Sequence, residues 1–261
     1  MTLLKHELRQ NRISLLIWTG AITFMLAICI FIYPEMKGEM ESISDVFSDM
    51  GSFSAAFGMD QLNFGTLLGY YSIECGNTFG MGGAFFAALC GAGILAKEEK
   101  DRTAEYLLTH PISRAKIITQ KLLAVFAQIA ILSVVVYTVS VFSMIAVGET
   151  VPWKEVNLLH IANFLLQIEI AAICFGISAF LKRGSLGIGL GIAVMMYFLN
   201  LISNITESAE FLKYLTPFAY TDGASIVANV ELDMKLIVIG MVYAIAGIVI
   251  AYCKYTKKDI V

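Results

Sequence analysis

Six long runs of mainly apolar residues dominate the sequence and limit what the chain can fold into. A helix needs about 20 such residues to cross the hydrocarbon core of a bilayer, at 1.5 Å of rise per residue. The chain is 58% hydrophobic and 15% charged, and its charged residues cluster between the apolar runs, as in a membrane protein. We therefore predict an all-α, polytopic membrane protein with a single transmembrane domain over residues 1–261. The six predicted transmembrane helices span about 13–33, 78–96, 117–147, 158–181, 185–203 and 236–253.

The distribution of basic residues predicts the orientation of these spans. With the N-terminus inside the cell, fourteen Lys and Arg residues lie in cytoplasmic segments, and only Lys37, Lys154, Lys213 and Lys235 lie outside. Cytoplasmic loops of membrane proteins carry an excess of Lys and Arg, so both termini are predicted to be cytoplasmic. The first run, 13–33, is long for the apolar core of a signal peptide and is predicted to stay as the first span.

Three segments outside the spans are apolar enough to pack against the bundle or the membrane. Residues 2–12 place three leucines at helical spacing beside basic residues, which predicts a short amphipathic helix in the cytoplasmic interface; a frayed, positively charged flank is the alternative. The outer segment 34–77 is too apolar for a linker, and we expect helical pieces on the outer membrane face. Short re-entrant helices are predicted in the outer segment 204–235, before span six, because apolar patches surround its proline.

Few polar side chains interrupt the apolar runs, and the most prominent is Glu169 in the middle of span four. A carboxylate at the bilayer centre costs about 3 kcal/mol, so it is expected to face the bundle or a cavity. Glu169 is therefore a candidate for a translocation path, with a structural hydrogen bond to a neighbouring helix as the alternative. Gln128 in span three and Asn200 in span five are weaker path candidates, because amides often join helices within membranes. The three histidines fall near predicted membrane boundaries and are expected at the surface or the interface.

Several motifs that mark known enzyme classes are absent from the sequence. There is no GxxxxGK[ST] loop for ATP, no HExxH zinc motif and no GxSxG nucleophile elbow. The net charge of −3 gives no indication of nucleic-acid binding. We predict no catalytic, cofactor or metal site in this chain. Two alternatives stay open: an intramembrane enzyme that modifies a lipid or peptide, with Glu169 as its acid or base, and a membrane anchor or sensor for a cytosolic regulator.

The cytoplasmic connection between spans two and three is the most informative segment. Its short predicted helix stops at Pro111, and Ser113 is predicted to cap the helix that follows. The run Glu98-Glu-Lys-Asp-Arg-Thr-Ala-Glu-Tyr-Leu-Leu-Thr-His-Pro-Ile-Ser-Arg114, followed by two isoleucines and Lys121, resembles the cytoplasmic signature of ABC-2 type transporter permeases. The resemblance covers essentially the whole chain, and the segment 2–12 is similar to the connecting helix of that family.

The resemblance implies that this chain is the permease subunit of an ABC transporter and contains no ATPase site. Two cytosolic ATPase subunits, which bind ATP and Mg, would dock on two permeases, and the second permease would be an identical copy or a related chain. The segment between spans two and three would be a coupling helix that contacts the ATPase. The coupling residues implied by the resemblance are Glu98, Glu99, Lys100, Asp101, Arg102, Thr103, Glu105, Pro111, Ser113 and Arg114.

The expected function is therefore ATP-driven transport across a bacterial plasma membrane by a multi-pass protein. By the resemblance, the expected direction is export, and the expected cargo is a peptide antibiotic, another hydrophobic compound or an ion.

Overall fold

The computed structural model describes residues 2–97, 112–181 and 186–257, and all regular structure in these ranges is helical, which confirms the all-α prediction. The described α-helices are α1 Thr2–Gln10, α2 Arg12–Asp49, α3 Ser52–Ala56, α4 Leu67–Glu74, α5 Gly82–Gly93, α6 Arg114–Ala146, α7 Trp153–Ser178, α8 Leu186–Ile205, α9 Gly223–Asn229 and α10 Met234–Thr256. A π-helix, Cys75–Met81, joins α4 to α5, and 3-10 helices lie at Met59–Gln61, Glu207–Leu215 and Ala219–Thr221.

Five helices in the described ranges are long and apolar enough to cross a membrane. They cover Arg12–Glu39, Arg114–Ala146, Trp153–Ser178, Gly187–Ile205 and Met234–Thr256, and each overlaps one of the predicted spans. The predicted second span, 78–96, overlaps α5, which has only 12 residues. The 8-residue α4 and the 7-residue π-helix precede α5 without a break, so residues 67–93 form one helical run.

The first long helix continues beyond the predicted end of span one. α2 passes Pro34 and reaches Asp49, although proline removes one backbone hydrogen bond from a helix interior. The preceding residue, Tyr33, is fully buried, and its hydroxyl donates to the carbonyl of Gly65 at 2.7 Å. Its ring also stacks on Tyr70 of α4 at 5.5 Å between centroids. These contacts hold the helix in place at the proline, and its extension replaces part of the separate outer pieces that the sequence suggested.

Side-chain caps set the starts of four helices. Thr66 accepts a hydrogen bond from the backbone of α4, Ser113 from that of α6, and Asp222 from that of α9. Asp233 accepts from two backbone amides at the start of α10. Such caps satisfy amides that have no partner within the helix. The predicted capping role of Ser113 is confirmed, because its hydroxyl accepts from the amide of Lys116 at 3.3 Å.

The helix α7 lies at the centre of the bundle. It packs between α5 and α10, while α6 packs on α2 and α8 packs on α5. Within the apolar stretch of α7, 67% of the residues are buried, compared with 22–33% for the other four long helices. Glycines allow its close contacts, since a Cβ on Gly176 would lie 2.6 Å from the carbonyl oxygen of Gly247 in α10. Membrane helices commonly use small residues in this way.

Candidate coupling and translocation sites

The predicted coupling residues fall into two groups. Ser113 and Arg114 are described by the structure, at the start of α6. The Arg114 guanidinium donates to the carbonyl of Thr256 at 3.2 Å, which ties the start of α6 to the end of α10. The other members lie outside the described residues; they are Glu98, Glu99, Lys100, Asp101, Arg102, Thr103, Glu105 and Pro111.

A buried ion cluster lies at the two ends of this segment. It consists of Glu7, Lys97 and Lys121, and we call it the basal cluster. One Glu7 oxygen is 3.1 Å from the Lys121 ammonium, and the other is 3.6 Å from that of Lys97. The Lys121 ammonium also donates to the carbonyl of Ile94 at 2.7 Å. Lys121 is fully buried and Glu7 is 1% exposed, so the charges of this pair are shielded from water, whereas the Lys97 side chain is partly exposed.

The basal cluster connects three parts of the chain that are distant in sequence. Glu7 belongs to α1, Lys97 follows the end of α5, and Lys121 lies in the second turn of α6. A further contact between α1 and α6 runs from the Leu4 amide to the Gln120 side chain at 3.3 Å. The amphipathic segment at the N-terminus therefore holds together the two helix ends that flank the predicted coupling segment. Removing one partner from a buried ion pair is strongly destabilising, so these three parts are expected to move together.

Two amides on α7 project toward glycines of the second helical run. A Cβ on Gly80 would lie 2.7 Å from the Asn163 side-chain oxygen, and one on Gly83 would overlap the amide of Gln167. Asn163 and Gln167 are fully buried. The Gln167 side chain donates to the carbonyl of Phe79 at 3.3 Å. The amide oxygens of both residues have no hydrogen-bond partner among the described residues. This closely packed contact therefore leaves two buried hydrogen-bond acceptors without a described donor.

Glu169 lies on another face of α7, toward α10. A Cβ on Gly240 would overlap its carboxylate, so the absence of a side chain at Gly240 leaves room for Glu169. Glu169 is fully buried, in agreement with the expectation that it faces the bundle. The Tyr220 hydroxyl, from the short 3-10 helix after α8, faces the carboxylate. Neither the hydroxyl nor either carboxylate oxygen makes a hydrogen bond of standard geometry within the described ranges.

The burial of Tyr220 affects the acidity of its hydroxyl. Burial raises the pKa of Tyr220, and the nearby Glu169 charge raises this pKa further. The tyrosine therefore stays protonated and remains a hydrogen-bond donor. The Tyr220 hydroxyl and the Glu169 carboxylate therefore form a small polar pair between α7 and the segment that follows α8.

The other two path candidates differ from Glu169 in their contacts. Gln128 is 1% exposed and donates to the Ala124 carbonyl at 3.1 Å, while the Cys90 thiol donates to its oxygen at 3.9 Å. Gln128 thus joins α6 to α5. Asn200 is half-buried beside a cavity of about 50 Å³ that also contacts Tyr197, and its side-chain oxygen has no described hydrogen-bond partner. The structure does not bring Glu169, Gln128 and Asn200 together as one site.

The expectation for the histidines was wrong at His160. This residue of α7 is only 6% exposed, and its Nε2 lies 2.8 Å from the Tyr71 hydroxyl. The rings of Phe79 and Tyr137 lie 5.2 and 5.1 Å from the imidazole. The residue is buried because the helical run 67–93 covers the start of α7, a tertiary contact with no signal in the local sequence.

Glu7 is the charged residue that sequence reasoning did not single out. It is the only acidic residue in the basic segment 2–12. Lys121 closes the signature run but carries no acid near it in sequence. An isolated acid in a basic amphipathic helix indicates an internal partner, and this signal would have identified Glu7.

These features define a multi-pass helical membrane protein whose N-terminal helix is fixed to both flanks of the connection between its second and third helical segments. The chain matches the family model described as ABC-2 family transporter protein over residues 1–260, and it therefore belongs to the ABC-2 transporter family.

One curated relative is similar to this chain. It is the uncharacterized protein YhcI of Bacillus subtilis strain 168, which is 23% identical over 239 residues. The match covers 82% of this chain and 71% of that protein. Family membership supports a transport permease that sits in a membrane and works with an ABC ATPase.

Proposed function

We propose that this chain is the permease subunit of an ATP-driven exporter in a bacterial plasma membrane. A separate cytosolic ABC ATPase binds ATP and Mg and supplies the energy, and two permeases, identical or related, work with two ATPase subunits. Family membership supports the transport role. The observation that carries the coupling mechanism is the basal cluster, because it joins both flanks of the predicted coupling segment to the N-terminal helix.

The proposed topology has six spans with both termini in the cytoplasm. Five are the long apolar helices, and the sixth is the helical run 67–93, whose three consecutive segments together have the length that a bilayer requires. The basic residues support this orientation, since fourteen lie in the segments assigned to the cytoplasm and four in those assigned to the outside. This arrangement places the basal cluster on the cytoplasmic side, where an ATPase docks.

The proposed mechanism transmits ATPase closure through the segment 98–114 to α5 and α6. The basal cluster makes the flanks of this segment move with α1 as one body. α5 packs directly on the central helix α7, and close-packed helices shift as rigid elements. A displacement of α5 is therefore passed to the α7–α10 contact that holds Glu169. The proposed cargo is a peptide antibiotic, another hydrophobic compound or an ion, with Glu169 on its path.

Charge reversal in the coupling segment tests this function. We expect Glu98→Lys, Glu99→Lys or Arg102→Glu to uncouple ATP hydrolysis from transport, because each replaces an expected attraction to the ATPase surface with a repulsion. The measurements are co-purification of the ATPase and ATP-dependent flux in proteoliposomes. Lys235→Glu, at the start of α10 on the proposed outer side, is the matched control and should retain both activities. Flux that continues unchanged without any ATPase would contradict the proposal.

A further inference from the structure

Two adjoining cavities open among the outer segments that connect α8, α9 and α10. Their volumes are about 580 and 200 Å³. The larger is within the range of small-molecule sites, about 300–1,000 Å³. They share the lining residues Asn204, Glu210, Lys213, Asp222 and Ser225. We call these two cavities together the outer cleft.

The lining of the outer cleft is mainly acidic. Its ionisable side chains are Glu210, Asp222, Glu231, Asp233 and a single lysine, Lys213. That lysine is paired with Glu210 at 3.4 Å, and the four carboxylates outnumber it, so the lining of the cleft has a net negative charge. Walls of one charge sign concentrate oppositely charged solutes.

The same bias extends over the outer segments between the spans predicted from the sequence, which are 34–77, 148–157 and 204–235. Four lysines stand against fourteen acidic residues, which are Glu35, Glu39, Glu41, Asp45, Asp49, Asp60, Glu74, Glu149, Glu155, Glu207, Glu210, Asp222, Glu231 and Asp233. Cations are therefore attracted to the outer face in general, and the cavity geometry determines where one is held.

A second, independent feature lies at the inner wall of the cleft. Tyr220 lines the smaller cavity and is only 3% exposed. Its hydroxyl and the fully buried Glu169 carboxylate face each other, and no described residue supplies either with a hydrogen bond of standard geometry. Tyr220 thus separates the acidic cleft from a buried carboxylate whose described polar neighbour is the Tyr220 hydroxyl itself. Burying such a group is costly unless a ligand or a proton compensates it.

We propose that the outer cleft and Glu169 behind Tyr220 bind an organic cation, a compound with a protonated or quaternary amine, and that this is the substrate class of the transporter. The substrate assignment rests on the proposed function. The volume of the cleft exceeds what a bare ion needs, and its walls include the aromatic rings of Tyr214 and Tyr220. Aromatic faces attract ammonium groups, and Glu169 supplies the anionic partner when Tyr220 moves aside.

Binding of ethidium, an aromatic organic cation, tests the proposal. The full-length permease is placed in lipid nanodiscs, with empty nanodiscs to correct for partitioning into lipid. We expect saturable binding that choline chloride displaces better than calcium or sodium chloride at equal ionic strength. Glu169→Gln should raise Kd about tenfold, as expected for loss of one charge-assisted contact. Glu231→Gln should raise it by a smaller factor.

The matched control is Glu149→Gln, because Glu149 is an outer carboxylate that pairs with Lys37 at 3.2 Å and does not line the cleft. Its Kd should equal that of the unmodified protein. An unchanged Kd in Glu169→Gln, or displacement by calcium but not by choline, would overturn the organic-cation site.

Co-purification of the ATPase separates the proposed substrate class from the proposed function. If the permease retains the ATPase but shows no saturable ethidium binding, only the proposed substrate class is contradicted. If it binds ethidium saturably but does not associate with an ATPase, only the proposed ATP-driven function is contradicted.

Discussion

Replacement of Gly91 by valine is expected to prevent correct packing of the helical bundle. A Cβ at this position of α5 would overlap the carbonyl oxygen of Ala171 in α7 and would lie 3.0 Å from the Cβ of Cys174. Because the nearest atom belongs to the backbone of a helix, it cannot rotate away, so α5 and α7 must separate. Overpacking of this kind costs about 1–3 kcal/mol and sometimes more, and here it disrupts the most extensive contact of the central helix.

The matched control lies two residues further along the same helix. A Cβ on Gly93 meets no atom within 4 Å, so Gly93→Val introduces the same β-branched side chain without the clash. We expect a monodisperse size-exclusion peak and a nearly unchanged Tm for Gly93→Val, and aggregation or a large loss of Tm for Gly91→Val. Equal behaviour of the two variants would show that α5 and α7 do not approach as closely as described.

Much of the fold follows from physical constraints that act locally along the chain. The bilayer sets a minimum apolar length, so five of the predicted spans overlap long apolar helices. The ends agree to within a few residues for four of them, whereas α2 continues to Asp49. The cap at Ser113 was predictable because a hydroxyl before a helical run satisfies a free amide. The burial of Glu169 was also predictable, since a carboxylate within an apolar run must face the bundle.

Other features depend on contacts between distant parts of the chain. The continuation of α2 past Pro34 relies on packing of Tyr33 against α4, which no local pattern indicates. A π-helix in the glycine-containing stretch Cys75–Met81 divides the second helical run into short segments. The burial of His160 likewise depends on coverage by the run 67–93. Since α7 is apolar on nearly all sides, its sequence did not show that Asn163 and Gln167 face one neighbour and Glu169 another.

The basal cluster illustrates the same limit at the candidate coupling site. Lys121 was visible as the end of the signature run, and the basic segment at the N-terminus was predicted to be a helix. Their connection was not predictable, because 114 residues separate Lys121 from Glu7. The identity of the site residues therefore came partly from the sequence, whereas their assembly required the tertiary structure.

Replacement of Lys121 by methionine is expected to destabilise the permease and weaken its association with the ATPase. The change keeps the size of the side chain but leaves the buried Glu7 carboxylate, among its described partners, with Lys97 alone, whose ammonium lies 3.6 Å away. Breaking a buried pair by removing one partner costs about 3–5 kcal/mol. For a chain of this size, about 2–4 °C of Tm is lost per kcal/mol, so we expect a decrease in Tm of about 10 °C.

Two further variants identify the cause of this decrease. Lys116→Met removes an exposed lysine from the first turn of the same helix, and it should leave Tm almost unchanged. The double variant Glu7→Gln with Lys121→Met removes both charges, and it should recover most of the lost stability, because an uncharged pair carries no penalty for an unpaired buried ion. A double variant as unstable as Lys121→Met alone would show that the charge pair is not what stabilises this region.

Co-purification of the ATPase then separates a coupling role from a purely structural one. If the basal cluster aligns the coupling segment, the double variant should regain Tm but still bind the ATPase less well than the unmodified permease. The reason is that a neutral pair restores packing without the charge-assisted contacts that fix α1, α5 and α6 relative to one another. Recovery of both Tm and ATPase binding in the double variant would show that the basal cluster stabilises the fold but does not align the coupling segment.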